Sequence, residues 1–124
     1  MHIARNRRSD FAAWIHAVFL LRPGSFMESW LTCRVGLGQF SSEFSVEAER
    51  HDGSRFSLFA PIEDVEVERT PNADESLPGL LQVNVMRKDS DRVLVRLPRE
   101  AFEAGYYVTV RPSDLQMRPA RQEA

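Results

Sequence analysis

The stretch Leu80–Val110, LLQVNVMRKDSDRVLVRLPREAFEAGYYVTV, constrains the fold more than any other part of the chain. Leu81, Val83 and Val85 alternate with polar residues, as do Val93, Val95 and Leu97, and then Tyr106, Val108 and Val110. Side chains on a strand point to opposite faces with a period of two, so each run predicts a strand with one face buried. Asp89-Ser90-Asp91 is short and polar enough to join the first two runs tightly. Between the last two, Pro98–Gly105 reads as one helical turn, with proline at its start and Gly105 in the left-handed closing position.

The same alternation recurs upstream. Leu31, Cys33, Val35 and Leu37 predict a strand whose far end is weakened by Gly36 and Gly38. Phe44, Val46 and Ala48, then Phe56, Leu58 and Ala60, flank the turn His51-Asp52-Gly53-Ser54. Asp-Gly suits such a turn because glycine takes positive φ without steric cost, so the pair predicts a β-hairpin. Val65 and Val67 form a short strand with an acidic outer face, and Thr70–Gly79 reads as the longest loop. No helical crossover separates these runs, which makes the sheet antiparallel, and short twisted strands roll up to hide their edges. The expected fold is mainly β: a small antiparallel barrel or rolled sheet of about six strands, with an N-terminal amphipathic helix.

That helix is read from Phe11, Ile15, Val18 and Phe19, which share one face, with Trp14 and Leu21 flanking it. Ser9 or Asp10 caps its start and Pro23-Gly24 stops it. Arg5, Arg7 and Arg8 before an apolar run give the segment a superficial likeness to a secretory signal. His16 interrupts the run, and Arg22-Pro23-Gly24 stands where small residues would be needed. Eleven helical residues span only ~16 Å, too short to cross a bilayer. The division expected is therefore a helical extension over 1–26, a β domain over 27–115, and a loosely held polar tail over 116–124.

A chain of 124 residues is long enough to bury a core without disulfides or metal. A single cysteine, Cys33, excludes an internal disulfide and fits a cytoplasmic setting. Within its alternating run Cys33 reads as a small buried hydrophobe rather than a nucleophile. His2, His16 and His51 have no neighbours at metal-ligand spacing, no G-x-S-x-G surrounds a serine, and Gly36-Leu37-Gly38 lacks the rest of a phosphate loop. Neither enzyme chemistry nor a cofactor is expected.

Charge is unevenly spread. Residues 1–40 carry five arginines against two acids (+3), residues 41–80 three against ten (−7), and residues 81–124 eight basic residues against six acids (+2). An acidic middle between basic flanks is either a solvated exterior or a patch for a basic partner or another copy. Two candidate surfaces emerge. The apolar residues Phe11, Trp14, Ile15, Val18 and Phe19 suit docking on a protein partner or on a second copy, since so apolar a helix needs cover. Arg87, Arg92, Arg96 and Arg99, with Tyr107, form a basic and aromatic row suited to single-stranded nucleic acid. Lys88 adjoins that row, and one of the adjacent pair Tyr106 and Tyr107 is expected to face outward. A non-enzymatic interaction or self-assembling module is the leading expectation, with no membrane partner; nucleic-acid binding is the alternative.

Gln39–Phe44, Phe56–Pro61, Val95-Arg96-Leu97-Pro98, Gly105 and Val108-Thr109-Val110 together give the chain one family likeness. It resembles a group of short uncharacterised bacterial proteins, including open reading frames of mobile gene cassettes. The likeness spans Met27–Leu115 and implies only that the core unit starts at Met27; it carries no activity and no site residues.

Overall fold

In the computed structural model, residues 27–120 are described. They form eight strands, all paired antiparallel: β1 (Met27–Leu37), β2 (Glu43–Glu49), β3 (Arg55–Pro61), β4 (Val65–Val67), β5 (Leu77–Lys88), β6 (Val93–Ala101), β7 (Gly105–Val110) and β8 (Leu115–Pro119). The sheet order is β3-β2-β1-β5-β6-β7, with β4 added on β5 and β8 on β1. The amphipathic helix expected around Phe11–Leu21 lies outside the described residues, which contain only two single 3₁₀ turns, Ile62–Asp64 and Pro112–Asp114.

The two longest strands are the axis of the fold. β1 and β5 pair from Ser29↔Val83 to Val35↔Leu77, and the outer edge of each is shared between two partners. On β1, β8 covers Met27–Leu31 and β2 covers Arg34–Leu37. On β5, β4 covers Gly79–Leu81 and β6 covers Asn84–Lys88. Because the partners change halfway along, the sheet bends over itself into an open, curled half-barrel. Inward residues from every strand fill it. Leu31, Val35, Phe56, Val93, Val95 and Val110 have no accessible surface, and Val46, Leu58 and Leu97 almost none. Each such side chain contributes roughly 1.5–3 kcal/mol of hydrophobic stabilisation on burial.

The two ends of the curl lean on each other through hydrogen bonds. Phe102 N–H donates to the Ser57 carbonyl at 2.9 Å and His51 N–H to the Thr109 carbonyl at 2.7 Å. Ser57 N–H donates to Glu103 Oε1 at 2.9 Å. Exposed strand edges invite pairing with other chains, and here the β3 edge is met by the β6–β7 connection.

Three expectations are corrected. β5 starts at Leu77, so the loop read as Thr70–Gly79 ends in strand. Pro78 is tolerated because the β4 ladder stops at Gly79, leaving one edge of position 78 without a partner that would need its N–H. Gly79 itself is required by crowding: a Cβ there would lie 2.6 Å from Val35 Cγ2 and 2.7 Å from the Glu66 carbonyl. The helical turn read over Pro98–Gly105 is instead extended chain to Ala101, then a tight turn closed by Gly105 at φ +69°. Ala101 is buried and Phe102 is tied to β3, and both hold the chain extended. The β6–β7 register jumps from Arg96↔Tyr107 to Ala101↔Gly105, so Pro98 falls where no β7 residue needs its N–H. Finally, the tail read as loose from residue 116 pairs as β8. Leu115 is buried, Met117 packs against the core, and Arg118 lies over the Trp30 ring at 4.7 Å while gripping Glu66 through both terminal nitrogens (3.2 and 3.0 Å).

Candidate interaction surface

β5, β6 and β7 bury Val83, Val93, Val95, Val108 and Val110, so the alternate positions face outward. Cross-strand pairing puts Asn84, Arg96 and Tyr107 in one row, and Arg87, Leu94 and Thr109 in the next. Met86 follows Asn84 on the outward alternation, 52% exposed, and the register shift between Val85 and Arg87 brings Arg87 to the same face. Tyr106 and Tyr107 are 40% and 52% exposed, so both tyrosines face solvent rather than one. Tyr107 takes the alternate, outward position, and Tyr106, on the same side of β7 as Val108 and Val110, is exposed next to the strand's first residue, Gly105. The Arg96 guanidinium sits 5.1 Å from the Tyr106 ring centroid, within the range of a cation–π contact.

The five basic and aromatic positions singled out from the sequence separate into three environments. Arg96 and Tyr107 are direct cross-strand partners. Arg87 and Arg92 face acids of the β5–β6 turn: Arg87 Nε is 3.9 Å from Asp89 Oδ1, and Arg92 Nε is 3.4 Å from Asp91 Oδ1. Arg99, farther along β6, lies within electrostatic reach of Asp64. The Asp64 carboxyl is held above its ordinary range by burial and then by Glu63, with Arg99 opposing them. The turn acids that neutralise Arg87 and Arg92 weaken the row as a phosphate track, whose strength depends on unpaired positive charge. Phe11, Trp14, Ile15, Val18 and Phe19 lie outside the described residues.

Arg92 and Tyr107 also line a pocket of about 370 Å³, together with Arg50, His51, Asp52, Glu103 and Thr109. It sits where the β2–β3 hairpin meets β7, which brings together residues more than fifty positions apart. Arg50 was not among the positions singled out from the sequence, and His51 read only as a turn residue. Their strand-end setting beside Asp-Gly predicts a surface turn, while the seam that folds them onto β7 has no local signature.

Cys33 faces the core, 4% exposed, and burial pushes its thiol up to about 12. A thiol so hard to ionise is a poor nucleophile. Among the described residues no three His, Cys, Asp or Glu side chains are grouped to hold a metal ion, and no helix is long and apolar enough to cross a membrane. Comparison with known protein families, curated proteins and solved structures returns no match.

Proposed function

We propose that this protein is a non-enzymatic protein-interaction module that self-associates through the outer face of β5, β6 and β7, in a bacterial cytoplasm. The observation that carries the reading is the exposure of Met86 and Tyr107 on the outer face beside Arg96, which also reaches the exposed Tyr106 ring. Tyr, Met and Arg are the residue types enriched where proteins meet. Rigid aromatic area and a planar guanidinium give large contact at small entropic cost. A second copy is the first partner to test, because symmetric dimers are the commonest oligomers.

Light scattering on the full chain tests it. A dimer is expected for the parent protein, and Tyr107→Ala with Met86→Ala is expected to weaken association by about 10- to 100-fold, since central hot-spot truncations cost roughly 2 kcal/mol or more. Unchanged association by the folded double variant would refute this face as the contact.

The second reading, single-stranded nucleic-acid binding, is favoured by one observation: Arg92 and Tyr107 share a pocket wall with Arg50. It predicts binding that falls steeply with salt and is lost on Arg92→Glu with Arg96→Glu. Absence of any gel shift with single-stranded DNA or RNA at low salt would rule it out.

A further inference from the structure

A groove of about 550 Å³ lies at the start of β1, between β8, β4 and the 3₁₀ turn at Ile62–Asp64. Trp30, Val65 and Pro119 supply its apolar surface, and Glu28, Glu63 and Glu66 its acidic rim. Leu31 points into the core, so Trp30 points the other way. It is 7% exposed all the same, without belonging to the core. Arg118 lies over its ring at 4.7 Å, and Glu28 Oε1 accepts from its Nε1 at 3.1 Å. Two polar side chains are little cover for so large an apolar ring system, and the burial asks for a further apolar group on this side.

The rim also keeps negative charge in excess. Arg118 grips Glu66 through both terminal nitrogens, which answers one of the three carboxylates. Glu63 has no ion pair or hydrogen bond among the described residues and stands next to another acid, Asp64. Three carboxylates against one guanidinium leave the groove at a net −2.

Residues 1–26 match this groove in position, reach, polarity and charge. The described chain starts at Met27, directly before Glu28. Arg22–Phe26 spans at most roughly 17 Å, and its Pro23-Gly24 pair is suited to turning the chain back. Upstream, the helix expected over Phe11–Leu21 is ~16 Å long and gathers Phe11, Ile15, Val18 and Phe19 on one face. Arg5, Arg7, Arg8 and Arg22 against the single acid Asp10 give the segment +3. The exposed face with Met86 and Tyr107 fits it worse, because Arg87 and Arg96 there would set like charge against like.

We propose that residues 11–21 lie in the groove of their own chain, their apolar face on Trp30, Val65 and Pro119 and the flanking arginines toward Glu28 and Glu63. The segment is then a cover for the β domain, not a free docking arm. This assignment is independent of self-association through β5, β6 and β7, since it uses a different face.

The test is isotope-filtered NMR on the full chain, with labelled and unlabelled copies mixed so that contacts within a chain are separated from contacts between chains. Cross-peaks from the Trp30 indole and the Val65 methyls to residues 11–21 are expected within one chain. Ile15→Asp with Val18→Asp is expected to abolish them and to open Trp30 to iodide quenching in a Trp14→Phe background. The amide spectrum of residues 27–120 reports that the variant keeps its β fold. Cross-peaks found only between copies overturn the proposal in favour of a segment exchanged with a second copy. Cross-peaks from the segment to Met86 and Tyr107 in place of Trp30 and Val65 overturn it in favour of the β5–β7 face. Absence of any contact between the segment and residues 27–120 overturns it outright.

Discussion

At the scale of single residues, the polar groups here act mainly as local ties. Glu75 is the clearest case. Arg69 grips its carboxylate with two hydrogen bonds of 2.9 and 2.5 Å, and Asn72 N–H adds a third at 2.8 Å. These hold the Glu75 carboxyl down to about 2 from an ordinary 4.5, the Arg69 bonds first and the Asn72 backbone second. A carboxyl depressed in the folded state contributes stability above its unfolded value and loses it as pH falls through the folded one. The loop between β4 and β5 is therefore expected to keep its order above about pH 4.5 and to loosen from there down to about pH 2. Amide exchange at Asn72 across that range checks this, and Arg69→Ala moves the loosening to higher pH. The ion pair is partly open to solvent, so the effect is confined to the loop and leaves global stability nearly unchanged. Residue types alone hinted at this tie, since Arg69, Asn72 and Glu75 lie within seven positions. Arg50 gave no such hint, because the burial of its Nε arises only from what packs around it.

At the scale of elements, β8 shows how a polar sequence becomes structure. QMRP has too few apolar residues to predict a strand, yet it pairs with β1 from Leu31↔Leu115 to Met27↔Pro119. Leu115 and Met117 point inward against the core, while Arg118 covers Trp30 on the outer face. Trp30 is only 7% exposed although its neighbours in the strand face the core; β8 is part of what covers it. Leu115→Ala is expected to destabilise the domain by about 2–4 kcal/mol, as for a buried leucine truncated in a packed core. Arg118→Ala is expected to cost less than about 1 kcal/mol, since its pair with Glu66 is partly exposed, but to raise quenching of Trp30 fluorescence. Urea unfolding and iodide quenching, with Trp14→Phe to isolate the signal, check both. An Arg118 substitution that left Trp30 as shielded as before would contradict the cover assigned to it. The strands β1 to β7 were legible because each has its own alternation; β8 was not, because its partner supplies what its sequence lacks.

At the scale of the whole molecule, every buried hydrophobic residue among the described ones lies between Trp30 and Leu115. A chain beginning at Met27 is therefore expected to keep the β fold, with thermal unfolding that remains cooperative. If residues 11–21 take part in association, as their apolar pattern suggests, that shortened chain is a weaker dimer than the full one by light scattering. Equal mass and equal stability of the two would remove any docking role from the segment. The sequence by itself determined the antiparallel β class, most strand positions, the inward face of each and the burial of Cys33, because period-two patterning is local and survives without knowledge of partners. Tertiary structure alone decided the division of β1 and β5 between two partners each, the recruitment of β8, and the seam that sets Arg50 beside Tyr107. Those features depend on contacts between residues far apart in the chain, and hydrogen-bonding edges carry no side-chain pattern to announce them.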